Sequence, residues 1–256
     1  MLNQYFNGSR FLQLFKVEFT SGYRNFLIAT LAVFAFLMMI IMIMAEDHDF
    51  EDFHGIWYPI VLLGGGYLFT SGSLSELNTS NSRMGYLSLP ASTFEKFLSK
   101  FLITNFGYII YVTLIYGLFA WLSNTLSKSF FDFTFQSFNP FREHYPLILI
   151  IYVTTHSIFL LGAIAFNRYA IFKTFLSLVV TYFILAAIIY LGVRTIFYDV
   201  FDGMFSVRND VLYQPTDQLK DFIQYSLPKI SQYISYFILT PAILVAGYFK
   251  LKEREV

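Results

Sequence analysis

The stretch FLIATLAVFAFLMMIIMIMA, Phe26 to Ala45, decides the fold class of this chain of 256 residues. Its 20 residues include no charged side chain, and roughly 20 apolar residues are what a helix needs to cross about 30 Å of hydrocarbon. The whole chain is 56% hydrophobic and 13% charged, whereas soluble domains carry about 25% charged residues. This composition predicts an integral membrane protein.

Five more apolar stretches have the length and composition of membrane-spanning helices. The second of the resulting six is shorter than the others and rich in glycine. Together they predict an all-α integral membrane protein with a single transmembrane domain over residues 1–256. The six predicted spans cover about residues 26–45, 56–73, 101–122, 146–166, 174–193 and 230–249.

The lysines and arginines predict the orientation of these spans. Eleven of the 17 lie in the segments on one side, which include both termini. Because cytoplasmic loops are enriched in Lys and Arg, both termini are predicted to be cytoplasmic. Residues 74–100 then form a cytoplasmic loop, and residues 194–229 form the long extracytoplasmic segment, in which Thr216 or Asp217 could begin a short helix.

A short amphipathic helix is predicted before the first span, over residues 9–22. Ser9 is a suitable N-cap, and Phe11, Phe15 and Phe19 recur at the four-residue spacing of one helix face. Such a helix would lie in the cytoplasmic membrane interface and turn into the first span at Ser21-Gly22. The alternative is that these residues are the frayed start of a longer first helix.

A polar stretch, GYLSLPASTFEKFLSK from Gly85 to Lys100, interrupts the apolar sequence. Ser92 and Glu95 have the spacing of a capping box, which predicts that a helix begins near Ser92 and continues into the third span. Pro90 sharpens this start, because it keeps the residue before it out of the helix. Lys96 and Lys100, one turn apart, are expected to anchor the helix at the lipid headgroups.

The run LSELNTSNSRMGYLSLPASTFEKFLSK, Leu74 to Lys100, resembles the cytoplasmic loop of type-2 ABC (ATP-binding cassette) transporter permeases. The resemblance rests on Leu89-Pro90-Ala91-Ser92 and on the pair Glu95-Lys96, and the order of interfacial helix, six spans and long outer segment is also similar. It implies that a separate ATPase subunit docks on this loop. The alternative for the loop is an ordinary solvated connection. The implied coupling or docking residues are Glu76, Arg83, Met84, Tyr86, Pro90, Ser92, Glu95 and Lys96.

The same resemblance implies the assembly and its location. The chain would be the permease subunit of an exporter in the bacterial cytoplasmic (inner) membrane, as a homodimer or a heterodimer with a similar permease, bound to two ABC ATPase subunits. Membrane lipid and an unidentified transported substrate would be its other partners.

The chain itself shows no sign of an enzyme. It lacks the G-x-x-x-x-G-K-[ST] phosphate loop, and the glycines Gly64, Gly65 and Gly66 have no following Lys-Ser/Thr. No cofactor is therefore expected in this chain, and ATP and Mg²⁺ would be bound by the partner ATPase. The net charge of +0 suggests no nucleic-acid partner. The alternative function is a non-transporting scaffold or accessory subunit that recruits a cytoplasmic protein, and the lack of acids at span centres disfavours an ion-coupled carrier.

A few other residues have both a functional and a structural interpretation. The acidic run Glu46 to His54 could hold a metal, but no metal site is predicted, because its spacing fits no strict template. His156, inside the fourth span, could relay protons but more simply bonds to a neighbouring helix. Gly64, Gly65, Gly66 and Pro241 are candidate hinges on a transport pathway, or else packing features.

Overall fold

The computed structural model describes residues 6–46, 52–78, 84–86, 88–142, 145–166, 168–196 and 222–254, and these residues form helices and contain no strand. The helices are Gly8–Ser21 (α1), Tyr23–Glu46 (α2), Phe53–Ile60 (α3), Gly66–Gly72 (α4), Thr93–Leu102 (α5), Tyr108–Phe131 (α6), Tyr145–Ala165 (α7), Ala170–Ile196 (α8), Leu227–Ile234 (α9) and Thr240–Glu253 (α10). Wider π-helical turns over Val61–Gly65, Ile103–Gly107 and Ser235–Leu239 join α3 to α4, α5 to α6 and α9 to α10.

Five helices of the described chain are long and apolar enough to cross a membrane, which supports a multi-pass membrane protein. The second predicted span, 56–73, is helical but is not among these five, so the six-span count stays a prediction. The third predicted span belongs to a continuous helix of 39 residues, about 58 Å long at 1.5 Å per residue. It therefore extends well beyond the hydrocarbon. The five candidate spans are Tyr23–Glu46, Thr93–Phe131, Tyr145–Ala165, Ala170–Gly192 and Gln232–Glu253.

The N-terminal helix forms close to where the sequence predicts it. It covers Gly8–Ser21, and Gly22 separates it from α2, so the predicted turn at Ser21-Gly22 is confirmed. The predicted cap at Ser9 is wrong, because Ser9 lies inside the helix and the Asn7 side chain accepts from the backbone N–H of Ser9 and Arg10. Asparagine is as good an N-cap as serine, and from position 7 its side chain accepts from the free N–H groups of the first turn of this helix.

Helix α7 lies at the centre of the packing and contacts α4, α8 and α10. The α4 contact depends on Gly66, since a Cβ there would lie 2.9 Å from Tyr152 Cζ and closer still to Tyr152 Cε2. The α8 contact depends on Gly162 in the same way, since its Cβ would lie 2.9 Å from both Thr174 Cβ and Thr174 Cγ2. Small residues thus let these helices approach closely, as is usual between membrane helices.

The end of the bundle opposite α1 is filled by aromatic side chains. Residues 132–142 turn back over the bundle after Asp132, whose φ of 52° stops α6. Phe135 is buried there against Phe53 and His54, with ring centroids 5.7 and 6.3 Å away. This connection is therefore part of the core rather than a free loop.

Several predicted features fall outside the described residues. They include Arg83 in the loop, the acids and histidine at 47–51, and residues 197–221 of the outer segment with the predicted helix start at 216–217. Among the described residues, no group of three or more His, Cys, Asp or Glu could hold a metal.

Candidate coupling site at the α1 end of the bundle

The capping box predicted at the start of α5 is confirmed. Ser92 is the N-cap of Thr93–Leu102, and its hydroxyl accepts from the backbone N–H of Glu95 at 3.2 Å. In return the Glu95 carboxylate accepts from the N–H of Ser92 at 2.8 Å. These reciprocal bonds use two N–H groups that would otherwise lack partners at a helix start.

The Glu95 carboxylate also joins α5 to α1, a link that the capping-box pattern does not predict. Arg10 donates Nε to Oε2 at 2.7 Å and Nη2 to Oε1 at 2.8 Å, which is the bidentate arrangement of a strong charged pair. The backbone N–H of Asn7 donates to Oε1 at 2.7 Å. Each carboxylate oxygen thus accepts two hydrogen bonds, and the side chain is fully buried.

This environment decides the charge of Glu95. Burial on its own would raise its pKa, but the hydrogen bonds from Arg10, Asn7 and Ser92 outweigh it and hold the pKa below the ordinary range. Glu95 is therefore ionised under physiological conditions. Its carboxylate links the N-terminal helix to the long helix through charged hydrogen bonds.

A second link between the same two helices lies two turns further along α1. Glu18 accepts from the Ser99 hydroxyl at 2.5 Å, and its other oxygen lies 3.5 Å from Lys100 Nζ. Lys100 Nζ also lies 3.5 Å from Glu76 Oε2, in the short 3₁₀ helix Ser75–Asn78 that follows α4. The three elements α1, Ser75–Asn78 and α5 thus meet at one lysine.

Tyr86 ties the loop to the same place. Its ring lies 5.6 Å from Lys96 Nζ and 5.3 Å from Lys100 Nζ, within the range of a cation–π contact. Only 1% of Lys96 and 7% of Lys100 is exposed. The expected role of these lysines as headgroup anchors is therefore wrong, because both side chains are enclosed by protein.

The loop itself is packed where the structure describes it. Leu74, Leu77 and Tyr86 are buried and form a second core cluster with Leu160 and Leu251, from α7 and α10. This packing does not fit an ordinary solvated connection. The described parts of the segment, residues 74–78, 84–86 and 88–100, instead pack on the ends of α7 and α10, so a force applied to them would reach two candidate spans.

The predicted docking residues separate into two groups. Ser92, Glu95, Lys96 and Tyr86 lie in the internal network, whereas Met84 and Pro90 are exposed, Met84 to 71%. Glu76 lies between the groups, with its side chain 43% exposed. The exposed group can meet a partner directly, and the buried group can transmit its effect to the helices.

The predicted hinge residues lie at irregular points of the helices. Gly64 and Gly65 are in the π-helical turn Val61–Gly65, and Gly66 begins α4. Pro241 follows the turn Ser235–Leu239, where the Thr240 hydroxyl donates to the Ser235 carbonyl at 2.9 Å. Proline donates no N–H, and the irregular backbone of this turn is a place where a helix accommodates that loss.

His156 is fully buried and bonded on both ring nitrogens. Nε2 lies 2.8 Å from Thr104 Oγ1, and Thr104 donates its own proton to the Lys100 carbonyl, so Nε2 is the donor to Thr104. The amide nitrogen of Asn105 donates to Nδ1 at 3.2 Å. A neutral histidine satisfies both bonds, which favours the helix-bonding interpretation over a proton relay.

Comparisons of the chain with protein-family models, curated proteins and solved structures found no match.

Proposed function

We propose that this chain is the membrane-spanning permease subunit of an ATP-driven ABC transporter, with its α1 end in the cytoplasm and an ATPase subunit docked on the segment Leu74 to Lys100. The observation that carries the proposal is the network in which the buried Glu95, Glu18 and Lys100 and the partly exposed Arg10 are linked. It joins the N-terminal helix, the segment after α4 and the long helix at a single end of the bundle.

Such a network meets a physical need of a subunit that has no ATP site of its own. Work done by a partner must reach the spans through contacts that differ between two states. A solvated loop would bend under an applied force. A segment that is fixed by ion pairs and by packing on α7 and α10 moves together with these helices.

In this proposal the exposed residues make the contact and the buried residues transmit it. Met84 is the exposed apolar side chain that a partner would cover. The same proposal includes six spans per subunit, a dimer of permeases and export from the bacterial inner membrane. These features are implied by the resemblance of the loop to that of type-2 ABC transporter permeases. The transported substrate would pass between the two copies.

Capture of bound partners tests this function. The tagged full-length chain is purified from its native membrane in a mild detergent, and co-purifying proteins are identified by mass spectrometry. We expect a stoichiometric subunit with a phosphate loop. It should be lost from the Met84→Glu variant and retained by Phe141→Glu. Phe141 is also an exposed apolar residue, 86% exposed, but it lies in the connection at the opposite end of the bundle.

The scaffold alternative predicts a different outcome. A folded chain that arrives alone in several mild detergents, or with a partner that lacks a phosphate loop, would overturn the permease proposal.

A further inference from the structure

A groove runs along the bundle between α2 and the segment formed by α3 and α4. Its volume is about 680 Å³, within the range of about 300–1,000 Å³ typical of ligand sites. Apolar side chains and glycines make up most of its walls. Its lining includes Phe26, Val33, Leu37, Ile60, Gly64 and Leu68.

The two ends of this groove differ in chemistry. The end next to α1 carries hydroxyl, amide and charged groups, and the rest is apolar. The polar lining residues at this end include Glu18, Asn25, Ser73, Ser75, Glu76 and Lys100. With two carboxylates and one ammonium, this end has a formal charge of −1 when all three are ionised.

One acceptor at the polar end lacks a hydrogen bond. Glu18 Oε1 is buried and has no hydrogen-bond donor within the part of the chain that the structure describes, although Lys100 Nζ lies at an ion-pair distance of 3.5 Å. The Glu18 side chain is only 5% exposed. Because a buried carboxylate oxygen without a donor is costly, the polar end is suited to a ligand that brings a charged N–H group.

The length of the groove suits a lipid chain. Asn25 and Leu37, both in its lining, are separated along α2 by about 18 Å at 1.5 Å per residue. One leaflet of hydrocarbon is about 15 Å thick, half of the usual 30 Å. The rim of the groove is apolar and exposed, at Ile60 to 51% and at Leu68 to 63%, so a chain could enter it sideways from the bilayer.

We infer that the groove binds a membrane lipid whose headgroup carries a protonated primary amine, such as phosphatidylethanolamine. Its ammonium group donates to Glu18 at the α1 end, and one acyl chain lies along α2. The headgroup phosphate would lie among the hydroxyl groups of this end, which Ser73 and Ser75 supply. This inference goes beyond the proposed function and does not depend on it, since it concerns binding to this chain alone.

Native mass spectrometry of the purified full-length protein with added lipid tests the inference. The probes are phosphatidylethanolamine, phosphatidylcholine and phosphatidylglycerol with identical acyl chains. Phosphatidylcholine keeps the positive charge but lacks the N–H donors, and phosphatidylglycerol is anionic. We expect phosphatidylethanolamine to bind roughly tenfold more tightly than either, which is the effect of about one hydrogen bond to a charged group.

Two variants locate the site. Gly64→Phe adds a ring at a residue that lines the groove, where a Cβ meets nothing within 4 Å, and Gly192→Phe is the matched control at a glycine of α8 whose Cβ is equally free of contacts. We expect Gly64→Phe to lose the tight lipid and Gly192→Phe to keep it, while Glu18→Gln removes the preference for the amine headgroup.

Equal binding of the three lipids by the unmodified protein, or equal binding by the two phenylalanine variants, would overturn the inference. Because no ATPase partner takes part, failure of the partner-capture experiment leaves this result standing, and the reverse also holds. If Glu18→Gln does not fold, the lipid series and the pair of phenylalanine variants still decide the question.

Discussion

Replacing Glu95 with glutamine measures how much the junction between α1 and α5 contributes to stability. The two residues have the same shape, so the change removes the charge and converts one acceptor oxygen into an NH₂ donor. In the native chain Oε1 faces the N–H groups of Asn7 and Arg10, and Oε2 faces those of Arg10 and Ser92. Whichever way the amide turns, its NH₂ group meets donors.

The cost follows from the hydrogen bonds that are lost. At least one backbone N–H, that of Asn7 or Ser92, is left without its acceptor, and an unsatisfied buried donor costs about 1–3 kcal/mol. The pair with Arg10 adds little to this figure, because the arginine side chain is 33% exposed and its charge is screened. At about 2–4 °C per kcal/mol for a chain of this size, the melting midpoint should fall by several degrees.

The assay is thermal unfolding of the full-length protein in detergent, with Glu253→Gln as the control. Glu253 also bonds to a cation, at 2.7 Å from Lys250 Nζ, but its side chain is 64% exposed. Exposed pairs contribute about 0–1 kcal/mol, so the control should melt close to the unmodified protein. Equal melting midpoints for the two variants would refute the claim that Glu95 stabilises the junction between α1 and α5.

Three further predictions follow from the same structure. Gly66→Ala should destabilise the chain by about 1–3 kcal/mol through overpacking against Tyr152, which is held in place because its hydroxyl donates to the Thr104 carbonyl at 2.8 Å. In the control Gly64→Ala the added Cβ meets nothing within 4 Å, so the stability of the chain should stay the same or rise by up to about 1 kcal/mol. Equal unfolding midpoints for the two variants would contradict this prediction. His156→Leu should cost about 1–3 kcal/mol, because it leaves the Asn105 amide without an acceptor, and a midpoint equal to that of the unmodified protein would argue against the bonded, neutral histidine. Burial raises the pKa of Glu18 above its ordinary value of 4.5, so stability from this group is complete below pH 4.5 and is lost as the pH rises through the raised pKa; the melting midpoint of the unmodified protein relative to that of Glu18→Gln should therefore fall as the pH rises above 4.5, and a constant difference between the two would contradict this.

Because the pKa of Glu95 is lowered rather than raised, its contribution to stability depends on pH in the opposite direction and over a different pH range. Its contribution is complete above the ordinary pKa of 4.5 and is lost only as the pH falls below it, through the lowered value. The range above pH 4.5 therefore reports on Glu18 with little interference from Glu95.

Local features of this fold could be predicted from the sequence. The capping box of Ser92 and Glu95, the turn at Gly22 and the apolar runs all depend on residues within a few positions of each other. These patterns can be recognised locally, because the hydrogen bonds of a helix cap and the apolar length of a membrane span both come from a single short segment. The N-cap at Asn7 instead of Ser9 shows the usual uncertainty of helix ends.

The long-range links could not be predicted in this way. Arg10 and Glu95 are 85 residues apart, and nothing in the spacing of either helix shows that they meet. The sequence predicts that the two lysines of α5 lie at the lipid headgroups, because lysines near helix ends usually extend there. Their burial depends on Tyr86, which the loop brings into place through its packing on α7 and α10.

The structure also divides the loop residues in a way that affects mutagenesis. Exchanging the charges of Glu95 and Lys96 would disturb the internal network, since both are buried. A loss of function in such a variant would not separate docking from folding. Met84, which is 71% exposed, is the better position for testing contact with a partner.

Site-specific cross-linking from residue 84 tests the proposed function most directly. The chain has no cysteine, so Met84→Cys and Phe141→Cys each carry a single thiol, to which a photoreactive maleimide is attached before illumination in native membranes. The proposed function predicts that the probe at residue 84 captures a subunit with a phosphate loop and that the probe at residue 141 does not. Capture of that subunit from both positions, or from neither, would contradict the docking of an ATPase at the α1 end.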